Sequence, residues 1–180
     1  MKYMFASDIH GSAHYCRKTL EAYRQSGADR LILLGDILYH GPRNDLPRDY
    51  APKEVIAMLN EYKDQIYAVR GNCDSEVDQM VLEFPIMADY CLLALNGKTI
   101  YATHGHIYNE ETRPPMCPGD VLIHGHTHLP VARAMGEGYL LNPGSVSLPK
   151  EGNPNSYGIL DGSVFTIWDF DGNKVKETAL

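Results

Sequence analysis

Short apolar runs and amphipathic stretches alternate along the first part of the chain. KYMFAS (2–7), RLILLGD (30–36) and QIYAVRGN (65–72) have the length and apolar character of buried β-strands. Between the first two, SAHYCRKTLEAYRQSG (12–27) carries apolar residues at helical spacing and stops at Gly27, a residue suited to a helix C-cap. APKEVIAMLNEYKD (51–64) is a second amphipathic helix, with Pro52 in its first turn. The order β-α-β-α-β predicts a parallel sheet joined by right-handed crossovers.

The second part is rich in strands. YCLLALNGKTIYATHG (90–105) reads as a hairpin that turns at Asn96-Gly97. DVLIHG (120–125), VARAMGEGYLLNPGS (131–145) and YGILDGSVFTIWDFDGNKVKETAL (157–180) add strands linked by turns containing Gly and Asp. The whole predicts an α/β fold of two packed sheets with helices outside. No repeat or linker divides it, and a length of 180 residues fits one domain, 1–180, with a core that needs no disulfide. One irregular segment, YHGPRNDLPRDYAP (39–52), stands out, because ordered domains rarely keep so long a loop without a use.

Charge and cysteine usage narrow the classes. Lys plus Arg number 16 against 23 Asp plus Glu, a formal charge of -7. With no basic stretch to neutralise phosphates, no dedicated nucleic-acid surface is expected. An acidic chain can still act on a phosphate ester if bound cations reverse the local field. Cys16, Cys73, Cys91 and Cys117 are scattered without zinc-finger spacing. They read as reduced thiols, and with no signal-peptide pattern at the N-terminus they predict a cytoplasmic protein. No apolar run is long enough to span a membrane. Oligomeric state, monomer or homo-oligomer, is left open by the sequence.

The candidate chemistry gathers where the strands run out. Asp8 and His10 follow the first strand, Asp36 the second, and Asn72, Cys73 and Asp74 the third. His104 and His106 end the hairpin, and His126 and His128 follow DVLIHG. In open α/β sheets ligands bind beyond the carboxyl ends of the strands. Taken singly, each has a plainer reading: Asp8 as a helix N-cap, Asn72 as a turn residue, a loop histidine as an ordinary polar group. Coincidence at five strand ends is a poor account of all of them together. Seven candidate ligands are too many for one tetrahedral ion, so a pair of divalent ions is expected. Mixed oxygen and imidazole donors suit Mn²⁺, Zn²⁺, Fe²⁺, Ni²⁺ or Co²⁺ and argue against Ca²⁺.

The blocks DIHG, GD, GNCD, THGH and GHTH occur in that order over residues 8–128. This ordered pattern resembles the calcineurin-like metallophosphoesterase superfamily. The resemblance implies a four-layer αββα sandwich of two mixed sheets flanked by helices. It also implies that Asp8, His10 and His128 bind one metal, that Asn72, His104 and His126 bind a second, and that Asp36 bridges them. His124 lies outside the superfamily's ligand pattern and reads as a strand-end or supporting group. The implied activity is metal-dependent hydrolysis of a small phosphodiester by a hydroxide held between two ions, with Mn²⁺ the first choice. Many relatives have histidine where this chain has Cys73, which leaves the general acid open: Cys73 either takes part or fills space, and His106 is the other candidate, as acid or as supporting partner. His40 and Arg43, on the long loop, are candidate substrate contacts, with a solvated charge the plainer reading of Arg43. Two rivals share the fold: a phosphomonoesterase, and a non-catalytic scaffold with a degraded metal site. The complete set of ligand types speaks against the scaffold.

Overall fold

The architecture is described from a computed structural model that covers residues 1–180. The first part follows the sequence pattern: β1 (Tyr3–Ala6), α1 (Ala13–Ser26), β2 (Arg30–Leu33), α2 (Pro52–Asn60) and β3 (Ile66–Ala68). Strands β1, β2 and β3 pair in parallel, as the βαβ order requires. Helix α1 is capped by the Ser12 hydroxyl, which accepts from the Tyr15 N–H, and closes on Gly27 in the left-handed region. Helix α2 ends at Asn60, short of the expected 64, and a 3-10 turn over Lys63–Gln65 leads into β3. A four-residue helix that the pattern did not predict, α3 (Glu76–Gln79), is fixed by a capping box between Ser75 and Asp78.

The remaining strands are β4 (Tyr90–Leu95), β5 (Lys98–Thr103), β6 (Val121–Ile123), β7 (Pro130–Met135), β8 (Gly138–Pro143), β9 (Ser156–Asp161), β10 (Val164–Asp169) and β11 (Lys174–Ala179). The β4–β5 hairpin turns at Asn96 and Gly97, both at positive φ, as a tight primed turn requires. Two mixed sheets result, in the orders β11-β10-β9-β1-β2-β3 and β4-β5-β6-β8-β7. Strand β9 returns from the far end of the chain to pair antiparallel with β1.

Period-two burial explains the layering. In β1 and β2, Met4, Ala6, Leu31 and Leu33 face α1 and α2, where they meet Cys16, Leu20, Val55 and Leu59. The alternate residues Phe5, Ile32 and Leu34 face the other sheet and meet Ile100, Val121 and Leu141. The outer face of the second sheet carries Leu122, Met135 and Leu140, packed by Met116 from the irregular segment between β5 and β6. That fourth layer is therefore built of irregular chain, while α1 and α2 cover the first sheet. With strands buried on both faces, the carboxyl ends of β1, β2, β3, β5 and β6 are left to present side chains at one edge of the sandwich.

Phe165 sits fully buried between the sheets, edge-on to Phe5 at 6.1 Å between ring centroids. Phe165→Ala is expected to lower unfolding stability by about 3–5 kcal/mol, read from urea denaturation at unchanged m-value. A loss within experimental error would show that the two sheets do not depend on this contact.

Candidate metal centre

The strand ends deliver their ligand-type residues through strained turns. Asp8, His10, Asp36, His126 and His128 all adopt positive φ, between 49° and 64°. For residues other than glycine this backbone costs about 1 kcal/mol or more each, and it persists only where surrounding contacts fix it. Those contacts are identifiable. Both oxygens of the buried Asp74 carboxylate grip the turn at Asp36. Its Oδ2 accepts from the N–H groups of Asp36 (2.9 Å) and Gly71 (2.7 Å), and its Oδ1 accepts from Ile37 (2.9 Å). Burial pushes the Asp74 carboxyl up to about 6, against these donors, which favour its ionised form. The carbonyl of Asp8 accepts from the hydroxyls of Ser145 (3.1 Å) and Ser147 (2.7 Å). Two glycines allow the close approach. A Cβ on Gly71 would lie 2.1 Å from Asp36 Oδ1, and one on Gly125 would lie 1.8 Å from Ser7 Oγ.

The imidazoles share one mode of support. His10 Nδ1 faces the carbonyl of Tyr39 at 2.8 Å, His104 Nδ1 that of Leu34 at 2.6 Å, and His128 Nδ1 that of Leu148 at 2.5 Å. A carbonyl oxygen only accepts, so each ring donates from Nδ1 and, when neutral, keeps a lone pair on Nε2. Those lone pairs converge. His128 Nε2 is 3.3 Å from Asp8 Oδ1 and 3.5 Å from His10 Nε2. His10 Nε2 is 3.7 Å from both Asp8 Oδ1 and Asp36 Oδ2. His104 Nε2 is 3.5 Å from Asp36 Oδ2, 3.0 Å from Asn72 Oδ1 and 3.2 Å from His126 Nδ1.

This donor set fits divalent cations. Asp8 Oδ1 is buried and has no hydrogen-bond partner, while its Oδ2 accepts from the His126 N–H at 3.1 Å. Asp36 divides its oxygens likewise: Oδ1 accepts from the Cys73 N–H at 2.8 Å, and Oδ2 faces both His10 and His104. Acceptors that point at one another in a dry site repel unless positive charge lies between them. The protonation behaviour expresses that demand. Burial opposes a charge on His104, yet Asp36 and Asp8 lift it to about 9. Burial, and then the charge of His104, drive His126 down to about 4. Asp8, His10 and His128 form one compact group and Asp8, Asp36 and His104 another, and the two have Asp8 in common.

The other candidates lie around this cluster. Cys73 sits beside His10 and Asp36, and burial plus the neighbouring carboxylates push its thiol up to about 12. An open cleft of about 410 Å³ lies over Asn72, Cys73, His126 and His128, with Arg43 on its wall. Lys150 lines the same cleft, and nothing in the sequence spacing singles it out. His40 does not line it: its ring packs edge-on against Tyr39 and Tyr50, at 4.8 and 5.2 Å between centroids. His106 stands 5.4 Å from His104 and faces a second cavity on the far side of His126. His124 is buried there too, with its Nδ1 against the Gly125 carbonyl. The turn-rich segment after β8, which reads as structural in sequence, supplies the Ser145, Ser147 and Leu148 contacts to Asp8 and His128.

Residues 1–163 match the family model described as the calcineurin-like phosphoesterase superfamily domain. Phosphodiesterase YfcE of Escherichia coli (strain K12) is 54% identical over 167 residues, which cover 93% of this chain and 91% of that protein. The probable metallophosphoesterase YsnB of Bacillus subtilis (strain 168) is 27% identical over 98% of this chain and 96% of its own. The solved structure of YfcE, described as a phosphoesterase from E. coli, superposes with a TM-score of 0.98 at 52% identity, covering 99% of both chains. The strand-end ligand pattern, the two mixed sheets and this similarity along nearly the whole chain agree, and the chain belongs to the calcineurin-like phosphoesterase superfamily.

Proposed function

We propose that this chain is a divalent-metal phosphodiesterase acting as one domain over residues 1–180, with a small phosphodiester as substrate. The observation that carries this reading is the convergence of acceptors at Asp8 Oδ1 and Asp36 Oδ2, walled by imidazoles whose Nδ1 atoms are already engaged. Asp8, His10 and His128 would hold one ion, Asn72, His104 and His126 the other, and Asp36 both. Two divalent ions bound there supply Lewis acidity toward the phosphate oxygens and toward the attacking water. Manganese is the first assignment, and zinc, iron, nickel and cobalt share its preference for these donors.

The chain's own residues set the geometry. Asp74 holds the turn that presents Asp36, and the Tyr39, Leu34 and Leu148 carbonyls keep each ring in the tautomer that offers Nε2. Arg43 and Lys150, both on the cleft, meet the negative charge of the phosphate. His106, the imidazole beside His104 and His126, lines the neighbouring cavity and is assigned as a supporting partner of those two rings. Cys73 shapes the cleft floor. All four cysteines are free thiols and no helix is long and apolar enough to cross a membrane, which supports a cytoplasmic assignment.

Bis(p-nitrophenyl) phosphate with added Mn²⁺ is the direct test, beside p-nitrophenyl phosphate and a panel of other divalent ions. Faster turnover of the diester is expected. Preference for the monoester would make the chain a phosphomonoesterase, and a folded protein inert with every ion would make it a scaffold. Asp36→Asn should reduce diester turnover by more than about 100-fold, beyond what loss of a supporting contact usually costs. Wild-type turnover in that variant would remove Asp36 from its bridging place. Asp74→Ala, which touches no proposed metal position directly, should weaken Mn²⁺ binding about 10–100-fold in calorimetric titration. Unchanged affinity would mean that the Asp36 turn holds its shape without that carboxylate.

A further inference from the structure

A groove of about 470 Å³ runs beside the candidate metal centre, with walls of Tyr39, Tyr50, Ile56, Val77 and Val81. It differs in kind from the neighbouring cleft, which is lined by polar groups and carries Arg43 and Lys150. Cys73 lines both, so groove and cleft meet at the residue beside His10 and Asp36. Tyr39 ties the groove to the centre from the other side, because its carbonyl accepts from His10 Nδ1. The groove's one carboxylate, Asp78, is engaged locally and accepts from the Ser75 N–H (2.8 Å) and hydroxyl (3.0 Å). Ser75 caps that carboxylate at the groove's edge, and seven of the ten lining residues are apolar or aromatic. Val77 is 68% exposed, and Tyr39 and Val81 are 42% exposed each, an apolar strip left open to solvent in a chain of charge -7.

A phosphodiester has a matching division: one anionic centre and two ester arms. We infer that the groove receives an apolar ester arm of the substrate, so that this chain selects diesters carrying an alkyl or aryl group of several carbons. The inference rests on the phosphodiesterase reading above and names the substrate class within it. With phosphorus over the acceptor cluster, an arm leaving past Cys73 lies directly along Tyr39 and Val77. The polar cleft is left for the second arm and for the phosphate charge. Burial of only two methylene groups in the groove is worth about tenfold in specificity.

The test compares methyl p-nitrophenyl phosphate with hexyl p-nitrophenyl phosphate, which share a leaving group and differ in the retained arm. A kcat/KM ratio of hexyl to methyl of about tenfold or more is expected, falling toward unity in Val77→Asp and Val81→Glu. Equal turnover of the two esters by the wild type, or a ratio that survives both substitutions, would overturn the inference while the phosphodiesterase reading stood. Failure of both esters with every ion would instead remove that reading. Groove occupancy is read separately from the methyl NMR resonances of Val77 and Val81 in the full chain. Hexyl methyl phosphate should shift them and dimethyl phosphate should not. If Val77→Asp changes only the molar mass in light scattering and leaves the ratio intact, the groove belongs to contact between copies of the chain, and the substrate assignment falls.

Discussion

Two carboxylates, Asp8 and Asp36, are buried at the ends of adjacent parallel strands, each with one oxygen committed to a backbone N–H and one aimed at imidazole lone pairs. Everything at this edge of the sandwich follows from that arrangement. Buried acceptors that face each other cost several kcal/mol unless a cation offsets them. The structure does not relax this cost by letting the groups turn away. It fixes them through Asp74, through Ser145 and Ser147, and through carbonyls that occupy the outer nitrogen of three rings. A fold that holds electron pairs together at such expense is prepared for positive charge.

The strain in the backbone belongs to the same constraint. A regular strand end would splay Asp8, His10 and Asp36 along the sheet edge. The left-handed turns at these residues instead curl their side chains back toward a common point. Glycines do for space what the turns do for direction, since Gly71 and Gly125 sit where any Cβ would collide with Asp36 or Ser7. Folding stability is thus spent locally on geometry, and the close-packed double core between and outside the sheets supplies it.

Much of this was legible in the sequence because the relevant signals are local. Alternating strand and helix patterns fixed the order of β1 to β3, Asn96-Gly97 marked its hairpin, and glycine beside Asp or His marked the strand ends. The rest depends on pairings that no local pattern carries. Strand β9 lies beside β1 although almost the whole chain separates them, and that pairing brings the segment from Ser145 to Leu148 under Asp8 and His128. The five positive φ values are likewise tertiary, because Asp and His state no such preference strongly enough to read. His40 and Lys150 show the same limit at the cleft. The long loop offered His40 by proximity in sequence, whereas packing against Tyr39 and Tyr50 turns it aside and the remote Lys150 lines the cleft.

Cys73 stands where the polar cleft and the apolar groove adjoin. A histidine there would project an ionisable ring into the cleft beside Asp36 and would be held charged by that carboxylate. The thiol is smaller, and burial together with its neighbours' negative charge keeps it protonated. The position therefore adds no cation and little polarity to the boundary between the charged cleft and the apolar groove. A charged ring at that boundary would require solvation and would close the apolar path with a polar step. With cysteine the step between cleft and groove stays small and uncharged, and Cys73 is the residue at which the two differently furnished walls adjoin.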